Sequence, residues 1–335
     1  MNHIQNLRCK TIWKHLLTTS LFIVMIVLGA CNKWGRPTLP QAPSPNEGIA
    51  FVSERDGNRE IYHIQPDGSQ LIRLTNHPEA DSDPSWSPDG TQIAFRSRRD
   101  GSSDIFIMGS DGSNPFNLVR DSIDSFDDEF APKWNPDGSM LAIYTDRFQP
   151  PMGNCKGGNS GVHHLAFISL ENPDMFGKSS IITHFDDLPG EQETLGWSAD
   201  GSILAFSSIC GQKVTQLYGW NRETRDVTQL IDGNYSALSP AFSPDGRYLA
   251  FSSDRDMNLD IFIMELDTGE LRNLTNHPGK DSHPTWSPDS SWIAFTTNRE
   301  ANDEIYIMDL EGKNLRNITQ HPGQDYMPTW SPVEP

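Results

Sequence analysis

One short hydrophobic segment returns six times along the chain: Ile49-Ala50-Phe51, Ile93-Ala94-Phe95, Leu141-Ala142-Ile143, Leu204-Ala205-Phe206, Leu249-Ala250-Phe251 and Ile293-Ala294-Phe295. The third residues of these sets lie 44, 48, 63, 45 and 44 positions apart. A second landmark, an aromatic residue followed by Ser-Pro-Asp-Gly or a variant, recurs at Trp86, Trp134, Trp197, Phe242, Trp286 and Trp330. A third is Asp104-Ile105-Phe106-Ile107-Met108, repeated at Asp260–Met264 and as Glu304-Ile305-Tyr306-Ile307-Met308. Each copy is too small to bury both of its apolar faces alone, so copies must stack. Six units of roughly 44 residues built from short strands predict propeller blades.

The local chemistry supports that reading. Pro88-Asp89-Gly90 suits a type I turn, with Pro fixing φ at the first corner and Gly closing it. It links an aromatic strand (a) to the Ile-Ala-Phe strand (b). Asp67-Gly68 and Asp111-Gly112 close the next hairpin, between an Ile-rich strand (c) and a Leu-Thr strand (d). The last repeat stops near Trp330, where a strand b is due, and a strand b without its strand a begins at Ile49. The expected fold is therefore all-β: a six-bladed β-propeller of four-stranded antiparallel blades over residues 48–335. Its ring is closed by pairing of the N-terminal strands with the C-terminal strand, which removes open edges.

Residues ahead of the repeats differ in kind. Arg8, Lys10 and Lys14 precede a mostly apolar run from Leu16 to Ala30, whose densest part, Leu21–Val27, is too short to span a bilayer. It ends in Leu28-Gly29-Ala30-Cys31, which resembles the lipobox of bacterial lipoproteins. Residues 1–30 are read as a lipoprotein signal peptide and Cys31 as the lipidation site. Residues 31–47, with Pro37, Pro40, Pro43 and Pro45, are read as an extended tether. Several acyl chains, each methylene contributing about 0.8 kcal/mol, would hold the domain at a membrane. The net charge of −19 argues against nucleic acid, which requires a basic surface, and favours a basic or metal-bridged partner.

The repeats resemble the TolB-type, WD40-like propellers of bacterial envelope proteins. The resemblance rests on Asp81-Ser82-Asp83-Pro84-Ser85-Trp86-Ser87-Pro88-Asp89-Gly90 and its counterparts, with Ser53-Glu54-Arg55-Asp56-Gly57 and Ser97-Arg98-Arg99-Asp100-Gly101. It implies an envelope location, periplasmic or on the cell surface, and a protein partner, since this family binds a peptidoglycan-associated lipoprotein at one propeller face. Members with the full TolB layout carry an extra N-terminal domain, where this chain has the tether. The expected function is a lipid-anchored binding scaffold for an envelope protein or a cell-wall or glycan ligand. The alternative is a metal-dependent polysaccharide lyase-like or other hydrolytic enzyme on the same fold.

Strand direction alternates, so the b–c and d–a loops share one face, and they are longer than the Asp-Gly turns opposite. Asp81, Glu129, Asp281 and Asp325 stand five positions before the aromatic and are expected to ring one mouth of the channel. There they would either cap their own loops or hold a divalent cation or basic group. His77, His277 and His321 lie in Asn/Gln-His-Pro loops and, with His283, form a candidate transition-metal set, against a role in loop packing. No cofactor is required by any motif. Residues 146–163 form a single long b–c loop followed by His163 and His164, further ligand candidates, and Cys155 and Cys210 are expected to form a disulfide. Arg55, Arg99, Arg255 and Arg299 are expected to pair within their blades with the acid opening strand c, as Arg99 with Asp104.

Overall fold

The computed structural model describes residues 48–119, 128–146, 164–170, 181–184, 191–209 and 214–332. The signal peptide, the tether, Cys31, Cys155, His163, Cys210 and loop positions 147–163 lie outside these residues.

Six antiparallel sheets of four strands make up the fold. Blade 1 orders β24 (Asp325–Trp330), β1 (Ile49–Ser53), β2 (Glu60–Ile64) and β3 (Ile72–Arg73) from first strand to last. Blade 2 is β4 (Asp81–Trp86), β5 (Gln92–Ser97), β6 (Asp104–Gly109) and β7 (Phe116–Asn117). Blade 3 is β8 (Glu129–Trp134), β9 (Met140–Thr145), β10 (His164–Ser169) and β11 (Ile181–His184). Blade 4 is β12 (Glu191–Trp197), β13 (Ile203–Ile209), β14 (Gln216–Asn221) and β15 (Val227–Gln229). Blade 5 is β16 (Ala237–Phe242), β17 (Tyr248–Ser253), β18 (Asp260–Glu265) and β19 (Leu271–Asn273). Blade 6 is β20 (Asp281–Trp286), β21 (Trp292–Thr297), β22 (Glu304–Asp309) and β23 (Arg316–Asn317).

The first strand of each blade contacts the first strand of the next, including β20 with β24 and β24 with β4, so the ring is closed. The expected clasp is present: β24 pairs antiparallel with β1, matching Ile49 to Trp330 and Ser53 to Asp325. Ser331 N and Oγ both donate to Gly48 O, extending the pairing beyond the strand ends.

The alternation in Ile-Ala-Phe explains the stacking. Successive side chains on a strand point to opposite faces, so Ile and Phe share one face and Ala takes the other. Ala50 of blade 1 packs in one cluster with Ile93 and Phe95 of blade 2. Ala250 meets Ile293 and Phe295 in the same way at the next seam but three. At the closing seam Ala294 of blade 6 meets Ile49 and Phe51 of blade 1. The small residue makes room for the next blade's aromatic, and these strand residues are fully buried. Full burial of one such Phe contributes about 1.5–3 kcal/mol. The outermost strands are short, and Val227–Gln229 is exposed throughout, which limits edge-to-edge pairing.

The Ser-Pro-Asp-Gly turns form as the residue chemistry dictates. Gly90 N donates to Ser87 O at 2.9 Å, Ser87 Oγ donates to Asp89 Oδ1 at 2.6 Å, and Gln92 N donates back to Ser87 Oγ at 2.9 Å. The Ser87 hydroxyl and the Thr91 N–H hold Asp89 below the usual carboxylate range, and the Ser198 and Ser202 donors do the same for Asp200. Blade 6 replaces the Gly by Ser290, whose φ of 61° is tolerated while its hydroxyl accepts from Asp245 N of blade 5 at 3.0 Å.

Candidate functional site: the loop face and the central channel

The b–c loops are built on a repeated arginine anchor. Ser97-Arg98-Arg99 leaves strand b so that Arg99 folds back over the aromatics of its own blade, 4.9 Å from the Phe106 ring centre. Its Nε donates to Ser97 Oγ at 2.9 Å and its Nη2 to Asp81 Oδ2 at 2.7 Å. Arg55 reproduces this with Tyr62, Ser53 and Asp325, the last at 2.8 Å, and Arg299 with Tyr306, Thr297 and Asp281 at 3.1 Å.

This corrects the expected pairing of Arg99 with Asp104. The ion pair is within the blade, but its acid is on the first strand rather than the third. Asp104 is instead engaged by Asn117 Nδ2 at 2.6 Å and Ser102 Oγ at 2.8 Å. Among the described residues Arg255 pairs with no acid, since Ala237 stands where the other blades carry one; it lies exposed over the Tyr235 ring at 5.5 Å.

Asp81, Asp281 and Asp325 have no exposed surface. Burial holds Asp81 and Asp325 above the usual carboxylate range, outweighing the hydrogen bonds from Ser97 and Arg99 and from Ser53 and Arg55. Glu129 is equally buried and accepts from Thr145 Oγ1 at 3.2 Å. The four acids open their inner strands as buried groups, and three of them are capped by guanidinium rather than by backbone N–H groups of their own loops.

The histidine loops are organised by the acid that opens strand c. His77 N donates to Glu60 Oε1 at 2.9 Å, and Asn58 Nδ2 donates to His77 O at 2.8 Å. His321 repeats this with Glu304 and Asn302 at 3.0 and 2.7 Å. In each loop the ring Nδ1 accepts a backbone N–H two residues on: Glu79 at 3.1 Å, Gly279 at 2.9 Å and Gly323 at 2.9 Å. One ring nitrogen of His77, His277 and His321 is therefore committed to its own turn. Among the described residues no group of three or more His, Cys, Asp or Glu side chains is arranged to hold a metal. His283 is elsewhere, on an inner strand, and His164 is buried opposite Thr145 at the start of β10.

All six inner strands converge on a central cavity of about 220 Å³. Each inner strand carries an irregularity in its pairing. In five blades the residue at this bulge has a positive φ and precedes a proline: Asp83, Ala131, Ser239, His283 and Met327, with φ of 52–54°. A bulge is where a strand tolerates proline, which has no N–H for the ladder. Thr194, before Leu195, takes the sixth place in the lining.

Two residues after the bulge, five blades carry small side chains: Ser85, Gly196, Ala241, Thr285 and Thr329. The third carries Lys133, which also lines the cavity. Burial pulls the Lys133 ammonium below its usual range, with Asp83 opposing. Burial raises Asp83, whose ion pair is with Arg96 at 3.9 Å. Burial and the charge of Lys133 lower His283 to about 4, so the imidazole is neutral at pH 7. Of this channel set only His283 was among the candidates read from the sequence. The signal for the rest was present: an inner-strand position that is small in five repeats and a lysine in one.

A family model described as the TolB beta propeller domain matches residues 32–149 and 193–334. The chain belongs to the TolB β-propeller family. A protein named TolB homolog from Chlorobium luteolum is 29% identical over 224 residues, covering 67% of this chain and 35% of that protein. An uncharacterized protein of Agrobacterium fabrum is 25% identical over 224 residues, 65% of each chain. The Tol-Pal system protein TolB of Francisella tularensis subsp. mediasiatica is 36% identical over 139 residues, 35% of this chain and 31% of its own length. The chain thus spans about a third of the length of these TolB relatives. Among solved structures, TolB from Acinetobacter baumannii superposes with a TM-score of 0.69 at 18% identity, covering 87% of this chain and 68% of that one. A putative TolB from Agrobacterium tumefaciens gives 0.60 at 19%, covering 87% of this chain and 100% of the other. These superpositions establish the TolB-type fold.

Proposed function

We propose that this TolB-type propeller is a binding scaffold of the bacterial envelope, lipid-anchored through Cys31, which presents its b–c and d–a loop face to a protein partner. The observation that carries the reading is how the loop face is built. Each anchored arginine turns inward to a buried acid, while the acid next to it points out: Asp56, Asp100 and Glu300 are exposed beside Arg55, Arg99 and Arg299, as are Asp254 and Asp256 beside Arg255. The result is a rigid rim with an outward acidic surplus, suited to a basic or amide-rich surface. Family membership supports a partner in the Tol-Pal system, in which relatives are named. A cell-wall or glycan ligand uses the same face in the second version of this reading.

The test is calorimetric titration of the full-length protein in detergent with the peptidoglycan-associated lipoprotein of the same organism, and separately with solubilised peptidoglycan. Binding that falls at least about tenfold in the variant Asp100→Lys, Asp256→Lys, Glu300→Lys supports the face and its charge, since each tenfold is about 1.4 kcal/mol. Absence of binding to both overturns the scaffold reading; unchanged binding by the variant overturns the face. Cys31→Ser is expected to move the protein from the membrane pellet to the soluble fraction.

A further inference from the structure

We propose that the central channel is a binding site for a small organic monocarboxylate, seated with its negative charge on Lys133. The inference concerns the channel interior and does not rest on the loop-face reading above.

The lysine is not explained by blade maintenance, because the other five repeats carry Ser, Gly, Ala, Thr and Thr at its position. Gly196 shows how tight that position is: a Cβ there would lie 2.3 Å from Pro240 O of the next blade. A long cation has been placed where its neighbours have almost no side chain. Lys133 makes no hydrogen bond or ion pair with any described side chain. Asp83, the acid that couples to it, is engaged by Arg96. Of the described lining groups Lys133 is the cation and Asp83 the carboxylate, and Arg96, from outside the lining, draws on Asp83 at 3.9 Å, so the Lys133 ammonium is left to meet an anion. Confinement makes such a charge costly until an anion joins it.

The rest of the lining specifies the anion. Blades 3 and 6 are opposite in a ring of six, so Lys133 and His283 approach the cavity from facing walls. His283 holds Ser282 Oγ at 3.0 Å through Nδ1, which leaves its Nε2 for a second hydrogen bond. With Ser282 Oγ donating to Nδ1, the neutral imidazole carries its proton on Nε2 and offers a donor without adding charge, so Lys133 supplies the formal charge for one carboxylate. Pro84, Trp197, Pro240, Phe242 and Met327 supply apolar wall for a hydrocarbon body rather than a hydrated inorganic ion. The cavity, at about 220 Å³, exceeds the roughly 150 Å³ that admits a benzene molecule. It is of a size for an aromatic or short aliphatic acid.

The experiment is titration of the full-length protein in detergent with acetate, hexanoate and benzoate, read by calorimetry and by saturation-transfer NMR, with benzamide as the neutral isostere of benzoate. The expected result is one site per chain for benzoate or hexanoate, with benzamide weaker by about 10–100-fold, the range of a charge-assisted hydrogen bond. Lys133→Met is expected to lose binding by a similar factor, and Lys133→Arg to restore most of it. The benzoate–benzamide comparison and the arginine variant keep the test decisive if the methionine variant folds poorly. Failure of all three acids to bind, equal affinity for benzamide, or unchanged affinity in a folded Lys133→Met protein overturns the proposal.

Discussion

At the scale of single residues, this propeller is organised by charged groups that the solvent hardly sees. The Arg99–Asp81 pair is enclosed by aromatic rings, its acid fully buried and its arginine side chain 14% exposed. Removing one member leaves the other buried and unpaired, which is far more costly than losing a surface bridge. Arg99→Met is therefore expected to destabilise the protein by about 3 kcal/mol, measured as the shift in urea unfolding. Arg255→Met provides the internal control. Its site has Ala237 in place of the acid and only a ring contact, so its cost should be about 0.5–1 kcal/mol. Equal losses in the two variants would show that the arginines act by packing rather than charge. The sequence revealed the arginine repeat and that it serves the blade. It did not reveal the partner, because Asp104, five residues away in sequence, competes on paper with Asp81, eighteen residues back; only the folded hairpin brings Asp81 alongside Arg99.

At the scale of elements, the tight turns do more than reverse the chain. The c–d turn of blade 2 rests against the last strand region of blade 1, where a Cβ on Gly112 would lie 2.3 Å from Leu74 O. Gly312 of blade 6 meets Leu274 O of blade 5 at 2.2 Å in the same manner. Both have positive φ, at 83° and 68°. Gly112→Ala therefore combines backbone strain with a backbone clash, for an expected loss of about 2–3 kcal/mol. Gly57 also has a positive φ, 102°, but its Cβ would meet open space, so Gly57→Ala should cost about 1 kcal/mol or less. Thermal midpoints ranking the two variants the other way would refute this account of blade spacing. The turn type was legible from Asp-Gly alone. The close approach of a neighbouring carbonyl was not, since it belongs to two different repeats.

At the scale of the whole molecule, stability depends on a ring whose two chain-distant ends share one sheet. Trp330 is 6% exposed and sits in the cluster that joins blade 6 to blade 1, with Phe51, Trp292 and Ile305. Trp330→Ala removes the largest side chain that β24 contributes to that seam, with an expected cost of about 3–5 kcal/mol. Deletion of residues 325–335 removes the strand itself and leaves β1 with an open edge. That chain is expected to lose its cooperative unfolding transition and to aggregate. A deletion protein that melts at the wild-type midpoint would show that closure contributes little.

The sequence alone determined the repeat, the blade count, the turn chemistry and the need for a clasp. All of these follow from periodic placement of Ile, Ala, Phe, Trp and Asp-Gly, and periodicity is a property of a line of residues. Tertiary structure decided which groups meet: within a blade, the first-strand acid for Arg55, Arg99 and Arg299; across blades, the carbonyl over Gly112 and Gly312 and the convergence of Asp83, Lys133 and His283 on one channel. Those residues are separated by 50 to 200 positions in sequence, and each falls at an ordinary place in its own repeat. Closing six strands around an axis brings them within electrostatic range of one another, and the low dielectric there gives their charges consequences that exposed residues lack.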